Sequence, residues 1–320
     1  MVTRDALRIV FMGTPAFAVP TLDALLATRH SVVGVVTQPD RPRGRGQKTS
    51  DAPVKQRAAQ AGVPVLQPDR LKAPEFLYAL EAMRADLGVV AAYGKILNDA
   101  VLQTPRLGMI NVHASILPRY RGAAPVHRAV IAGEHETGVT IMRVVKELDA
   151  GPMLLVARRP IGPDETSVDV EADLARIGAA LLVEAVDRVA AGIATEEPQD
   201  ASRATYAPRL TKEDGRIDWS RRAAEIHNLI RGLHPWPHAY TFVDDKRLIL
   251  LRSQAAADSG GEPPGTVITA RGDDLRVAAA AGTLRILELQ AEGRRPMTAR
   301  DFLAGHPLAP GSRFSSSASF

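Results

Sequence analysis

Asn111, His113 and Asp149 are the residues of this chain whose types and spacing could do chemistry. If the run ending at His113 is a strand, its period of two puts Asn111 and His113 on one face. Asp149 sits about three dozen residues on, in the Leu-Asp-Ala-Gly turn of 148–151. An amide, an imidazole and a carboxylate are the parts needed for acyl transfer without a covalent intermediate. They supply an oxyanion donor, an orienter and a proton acceptor. A hydrogen-bonded structural pair at a strand end and an ordinary Asp-Gly turn account for the same residues. The residue types alone leave both readings open.

The elements that must position these groups are legible from the hydrophobic pattern. Short apolar runs at 7–11, 32–36, 63–66, 87–92 and 109–112 read as strands, with helices near 54–61 and 74–83. A further helix carries Leu22, Leu25 and Leu26 on one face. Strand–helix–strand alternation predicts an α/β domain with a Rossmann-like, mostly parallel sheet, and in such a sheet ligands bind at the carboxyl ends of the strands. Gly13, Thr14, Tyr93, Gly94, Lys95, Asn111 and His113 all fall at such ends. Two more strands, 140–145 and 153–156, flank the Asp149 turn. A long amphipathic helix follows, with Leu174, Ile177, Leu181, Leu182 and Val189 inward.

Composition then shifts. The expected layout is a catalytic α/β domain over 1–195, a polar Pro-interrupted linker over 196–210, a second domain over 211–311, and a Ser-rich disordered tail over 312–320. In the second domain, a short helix with Ser220 as N-cap precedes strands at 248–251, 265–270, 275–278 and 284–289. That spacing fits a small β-barrel.

Several function classes fall away. The 320 residues contain no cysteine, which excludes disulfides, thiolate catalysis and zinc-ribbon or iron–sulfur sites. Gly13-Thr14-Pro15 carries Pro15 and Ala18 where a dinucleotide fingerprint needs glycine, and no Walker loop is present. No apolar run approaches the roughly 20 residues of a membrane span, and the first residues lack a signal-peptide core. The expectation is a cytoplasmic chain, monomeric, without a metal. A net charge of +4 permits a polyanionic partner without requiring one. Arg41, Arg43, Arg45 and Lys48 do cluster on one Gly/Pro-rich loop at the carboxyl end of the second strand, near Asp40. A solvated loop is the simpler account of such a run. His234 and His238 have a metal-like spacing but no third ligand in sight.

Asn111 to Pro125, reading Asn-Val-His-Ala-Ser-Ile-Leu-Pro-Arg-Tyr-Arg-Gly-Ala-Ala-Pro, followed by Leu148 to Gly151, resembles the folate-dependent formyltransferases. Further segments at 11–15, 37–46, 91–94, 217–219 and 235–237 resemble the branch of that family whose acceptor is methionyl initiator tRNA. The resemblance runs from about residue 7 to 311. It implies that Asn111, His113 and Asp149 are catalytic. It implies a folate pocket for 10-formyltetrahydrofolate lined by Ala91, Ala92, Tyr93, Gly94 and Lys95 and by Ser115, Ile116, Leu117 and Pro118. It also implies an OB-like form for the C-terminal barrel. Gly13, Thr14, Arg41, Arg43, Arg45 and Lys48 would meet the methionyl end and the tRNA acceptor arm. Asn98 and Pro152 depart from the family pattern without touching the trio.

On this reading, Asn111 and His113 donate to the tetrahedral oxyanion, and Asp149 orients the imidazole and takes the amine proton. A formyltransferase acting on glycinamide ribonucleotide or an amino sugar would carry the same trio. The basic loop and the extra domain favour tRNA. A non-catalytic RNA-binding translation protein would have no use for the trio. Arg45→Ala is expected to raise the KM for tRNA about tenfold, the worth of one charge-assisted contact of ~1.5 kcal/mol, with a smaller change in kcat. Steady-state kinetics at varied tRNA concentration checks it.

Overall fold

The computed structural model describes residues 6–40, 42–43, 48–49, 51–258 and 261–317. Two compact units emerge: 1–125 with 136–159 and 171–207, and 126–135 with 160–170 and 208–320.

The first unit is built on a seven-stranded sheet of order β10-β9-β7-β6-β1-β2-β5. Its strands are β1 (Arg8–Gly13), β2 (Ser31–Val36), β5 (Val65–Leu66), β6 (Leu87–Ala91), β7 (Met109–His113), β9 (Glu136–Arg143) and β10 (Met153–Pro160). Two-residue strands β3 (Pro42–Arg43) and β4 (Lys48–Thr49) pair with each other outside it. Strands β7, β6, β1, β2 and β5 run parallel, and β9 joins β7 antiparallel. Ile9, Val10, Phe11 and Met12 of β1 are all fully buried. A parallel strand covered on both faces gives that unbroken apolar run.

Proline sets helix starts: α1 (Val19–Leu26), α2 (Pro53–Gln60) and α3 (Pro74–Ala82) each carry one in the first turn. Two short helices, α4 (Asp99–Gln103) and α5 (Pro125–Ile131), were not legible in the hydrophobic pattern. Asn98 caps α4, its Oδ1 accepting from the Val101 N–H at 3.1 Å. A cap of this kind gives the departure at Asn98 a local structural use.

The long helix α6 (Ser167–Ala190) buries Val170, Leu174, Leu182 and Val186 completely. Ile177 and Leu181, expected inside, are half-buried. Gly178 lets this helix lie close to the sheet: a Cβ there would stand 2.8 Å from Cγ1 of Val112, on the strand that carries Asn111 and His113.

The chain leaves the first unit after Ala207, inside the stretch read as a linker. That stretch is not loose. Glu197 bridges Met153, and β11 (Tyr206–Ala207) pairs in parallel with β8 (Arg121–Gly122).

The second unit also takes 126–135 and 160–170, which composition had placed in the first. Hydrogen bonds are the reason. Arg231 of α7 (Ala223–Gly232) donates to the Gly162 and Glu165 carbonyls, Arg128 pairs with Asp214, and Ser167 Oγ donates to the His234 carbonyl. Helix α7 starts at Ala223, later than expected, with Glu225 accepting from the Arg222 N–H at 3.0 Å. Ser220 is instead held in a turn by Asp218.

An antiparallel sheet of order β12-β13-β16-β15-β14 follows, formed by β12 (Ala239–Val243), β13 (Lys246–Ala256), β14 (Val267–Arg271), β15 (Asp274–Ala278) and β16 (Thr283–Ala291). The short β17 (Met297–Thr298) pairs with β16 and leads into α8 (Ala299–Gly305). The Ser-rich end corrects an expectation. Residues 311–315 are ordered and reach both edge strands of the sheet: Ser315 exchanges hydrogen bonds with Phe242 of β12, and the Val267 N–H of β14 donates to the Ser312 carbonyl. Phe314 is buried against Trp219, ring centroids 5.7 Å apart, and Trp219 Nε1–H donates to Thr241 Oγ1 at 2.9 Å. An apolar anchor and backbone pairing outweigh the flexible composition around them. Phe314→Ala is expected to destabilise the second unit by about 3–5 kcal/mol, measured by denaturant unfolding of the whole chain.

Candidate active site

At the carboxyl end of β1 the chain order of the first sheet switches from β2 on one side to β6 on the other, the point at which such sheets bind ligands. Gly13 lies opposite Ala91 there. Thr14 Oγ1 donates to the Tyr93 carbonyl at 3.2 Å and accepts from the Gln38 N–H at 3.3 Å. Gln38 Nε2 donates to the same carbonyl at 2.8 Å. Gly13, Thr14 and residues 91–94 are thus brought together, with the Thr14 hydroxyl tying three strand ends.

The next strand end carries the trio. In β7, Asn111 pairs with Val90 and Met142, and His113 with Thr140. The loop after His113 is fastened to β9 by a residue the sequence reading did not single out. Thr140 Oγ1 donates to the Ser115 carbonyl at 2.8 Å and accepts from the Leu117 N–H at 3.2 Å. Its position opposite His113 was hidden until the pairing of β7 with β9 was known. The Ser115 hydroxyl donates to the Arg119 carbonyl at 2.7 Å, which closes the loop on itself.

The imidazole of His113 is buried. Its Nε2 lies 3.0 Å from the Tyr120 carbonyl, and its Nδ1 lies 3.7 Å from Asp149 Oδ2. A carbonyl can only accept, so Nε2 carries a proton; in the neutral imidazole Nδ1 then presents a lone pair. At 3.7 Å the Nδ1 atom is beyond hydrogen-bond reach of the carboxylate but within ion-pair distance of it. The same Asp149 Oδ2 accepts from the Gly122 N–H at 2.8 Å. Asn111 is half-buried on the same strand face, and its side chain has no hydrogen-bond partner among the described residues. Its amide is free to meet a ligand. An amide, an imidazole nitrogen and a carboxylate thus stand together at one strand end, the groups that acyl transfer needs.

Lys95 Nζ donates to the Pro68 and Asp69 carbonyls at 2.8 and 3.1 Å. Tyr93 lies in the apolar core with Met12, Val36 and Phe76, its hydroxyl without a partner among the described residues, and burial pushes its phenol up to about 12. Its backbone carbonyl, not its ring, meets Thr14 and Gln38. Arg41 and Arg45 lie outside the described residues; Arg43 and Lys48 are paired in backbone register. Asp40 does not stand free beside them. Lys55, and then Gln67, hydrogen-bond its carboxylate and hold it below the usual range.

Two cavities lie away from the trio. One of about 620 Å³ in the second unit is lined by His227, Arg231, Arg276 and Arg285 among others, and one of about 510 Å³ lies beside α3. Among the described residues there is no group of three or more His, Asp or Glu able to hold a metal.

Residues 7–186 match the family model described as formyl transferase, and residues 209–307 match the formyl transferase C-terminal domain. The chain belongs to the formyl transferase family. Within this family it is 51% identical to the methionyl-tRNA formyltransferase of Citrifermentans bemidjiense, over 95% of both chains. It is 49% identical to the methionyl-tRNA formyltransferase of Caldanaerobacter subterraneus, over 95% of this chain and 99% of that one. Among solved structures, a sugar 3N-formyl transferase in the presence of dTDP and 5-N-formyl-THF superposes with a TM-score of 0.67 at 16% identity, covering 91% of this chain and 100% of that one. At that identity the likeness speaks for the formyl transferase fold alone.

Gly122 has no room for a side chain. Its φ is +120° and a Cβ would stand 2.7 Å from the Ala207 carbonyl oxygen, so alanine there must displace either β11 or the N–H that holds Asp149. Gly122→Ala is expected to lower kcat roughly 100-fold, the scale of a 1 Å misplacement. Formyl transfer under saturating substrates checks this.

Proposed function

We propose that this protein transfers the formyl group of 10-formyltetrahydrofolate to the α-amino group of methionyl initiator tRNA, with Asn111, His113 and Asp149 as its catalytic groups. Membership of the family and full-length identity near 50% to methionyl-tRNA formyltransferases support the reaction. The single observation that carries the site is the His113 imidazole, fixed at Nε2 by a carbonyl and facing a carboxylate at Nδ1.

The attacking amine must be neutral, and a free α-amino group with a pKa of roughly 7.7–8.0 is partly so at physiological pH. Its nitrogen adds to the formyl carbon, and the carbonyl oxygen becomes an oxyanion that the Asn111 amide stabilises. The proton lost by the amine passes to His113 Nδ1, where Asp149 stabilises the imidazolium. Nδ1–H then protonates folate N10 as the carbon–N10 bond breaks, which returns the imidazole to its starting state. The tautomer gives His113 the proton-carrying role that the residue types alone had given to Asp149. In this reading Asp149 stays ionised throughout.

The backbone of 91–94 and the 115–118 loop would line the folate pocket, and the Arg41–Lys48 loop would hold the tRNA acceptor arm. The protein would act as a monomer in the cytoplasm. Among the described residues no helix is long and apolar enough to cross a membrane. The opposing reading, a small-amine formyltransferase, has the same trio and would differ in acceptor.

Formyl transfer to charged initiator and elongator Met-tRNA, measured side by side, tests the proposal. Transfer to the initiator is expected, and a loss of about 10²–10³ in kcat for Asn111→Ala. Transfer to neither tRNA, with folate still bound, would move the acceptor to a small amine.

A further inference from the structure

A side chain from the polar stretch after α6 reaches the turn that carries Asp149. Gln199 Oε1 accepts from Arg121 Nε at 3.1 Å and from Nη2 at 2.7 Å. Its Nε2 donates to the Asp149 carbonyl at 2.9 Å and to the Gly151 carbonyl at 2.8 Å. A primary amide offers two N–H donors and two acceptor lone pairs, and here all four are engaged. The orientation is fixed by its partners, because a guanidinium only donates and a carbonyl only accepts. Flipping the amide would set –NH2 against Arg121 and oxygen against two carbonyl oxygens.

The turn so held is one that needs holding. Asp149 has a φ of +46°, the left-handed region in which a residue with a side chain is disfavoured. Arg121, which clamps Gln199, is buried and directly precedes Gly122, whose N–H holds the Asp149 carboxylate. Residues 121–122 therefore fix Asp149 twice, once at the carboxylate and once, through Gln199, at the backbone.

We infer that Gln199 is a positioning residue for catalysis: it holds the 149–151 turn so that the Asp149 carboxylate stays opposite His113 Nδ1 while that nitrogen gains and loses a proton. This rests on the catalytic assignment of the trio. Gln199 touches no reacting atom; it acts through Asp149. The simpler alternative is that Gln199 only fastens the chain after α6 to its own unit, in which case its loss would lower stability without selecting kcat.

The two substitutions differ in what they remove. Gln199→Glu keeps an acceptor for Arg121 but places a carboxylate oxygen against the two carbonyls. Gln199→Ala removes both and leaves a buried guanidinium unpaired. The full-length chain carrying each substitution, alone and with Asp149→Asn, is assayed for formyl transfer to Met-tRNA, for Tm, and for KM of both substrates. The expected result for Gln199→Glu is a kcat lowered on the order of 10–100-fold with KM values little changed. In the Asp149→Asn background the same change should cost less than about twofold, because the group it positions is already disabled. A wild-type kcat for Gln199→Glu would overturn the inference. So would losses that multiply independently in the double variant. If Gln199→Ala fails to fold, Gln199→Glu still decides. Asp149→Asn at the wild-type rate would remove the trio assignment and the inference with it, whereas a wild-type chain inactive on Met-tRNA would first refute the proposed acceptor.

Discussion

The contact between His113 Nε2 and the Tyr120 carbonyl is the one from which the rest of the site takes its form. Once that carbonyl occupies Nε2, the only nitrogen left for chemistry is Nδ1, and Nδ1 faces Asp149. The carbonyl can point inward because Tyr120 adopts a φ of +60°, and its own N–H is received by Thr205 Oγ1 at 2.9 Å. A left-handed residue of this kind costs on the order of 1–3 kcal/mol unless its surroundings over-determine it. Here the loop is over-determined. Thr140 holds it from β9, Ser115 holds it from within, and 205–207 hold it from outside.

The polar stretch after α6 is consequently part of what holds the 118–123 loop and the Asp149 turn. Gln199, Thr205 and Ala207 each bond to the 118–123 loop or to the Asp149 turn, and the short parallel pair of β8 and β11 runs between them. Composition describes such a stretch as a linker because it is polar and Pro-interrupted. Its side chains and backbone are satisfied by polar groups of the 118–123 loop and the Asp149 turn. Burial of polar backbone requires partners, and two irregular segments supply them to each other.

Legibility followed the range of the interactions. The strands of the first sheet were readable because a parallel strand covered on both faces is an apolar run, and β1 and β6 bury every residue from Ile9 to Gly13 and from Leu87 to Ala91. The two-residue spacing of Asn111 and His113 was readable for the same local reason. β12, with its alternating Ala239, Thr241 and Val243 inward, is too short and too near the Pro-rich 234–238 corner to stand out. The end of the second unit was misread because serine content suggests disorder, while one buried aromatic, Phe314, decides otherwise. Gln199 left no local signal, since its partners are 48, 50 and 78 residues away in sequence.

The sequence by itself determined the α/β class, the strand ends where polar groups gather, the two-residue spacing of Asn111 and His113, and the family of the chain. These follow from periodicity, which is local, and from residue identity, which needs no coordinates. Only the tertiary structure decided which nitrogen of His113 meets the Tyr120 carbonyl, the use of Thr140 and Gln199 as supports, the burial of Tyr93 and the pairing of residues 312–315 with the edge strands of the second sheet. Each of those depends on which distant backbone group comes within hydrogen-bonding reach, and that is fixed by strand order and register. No window of sequence contains it.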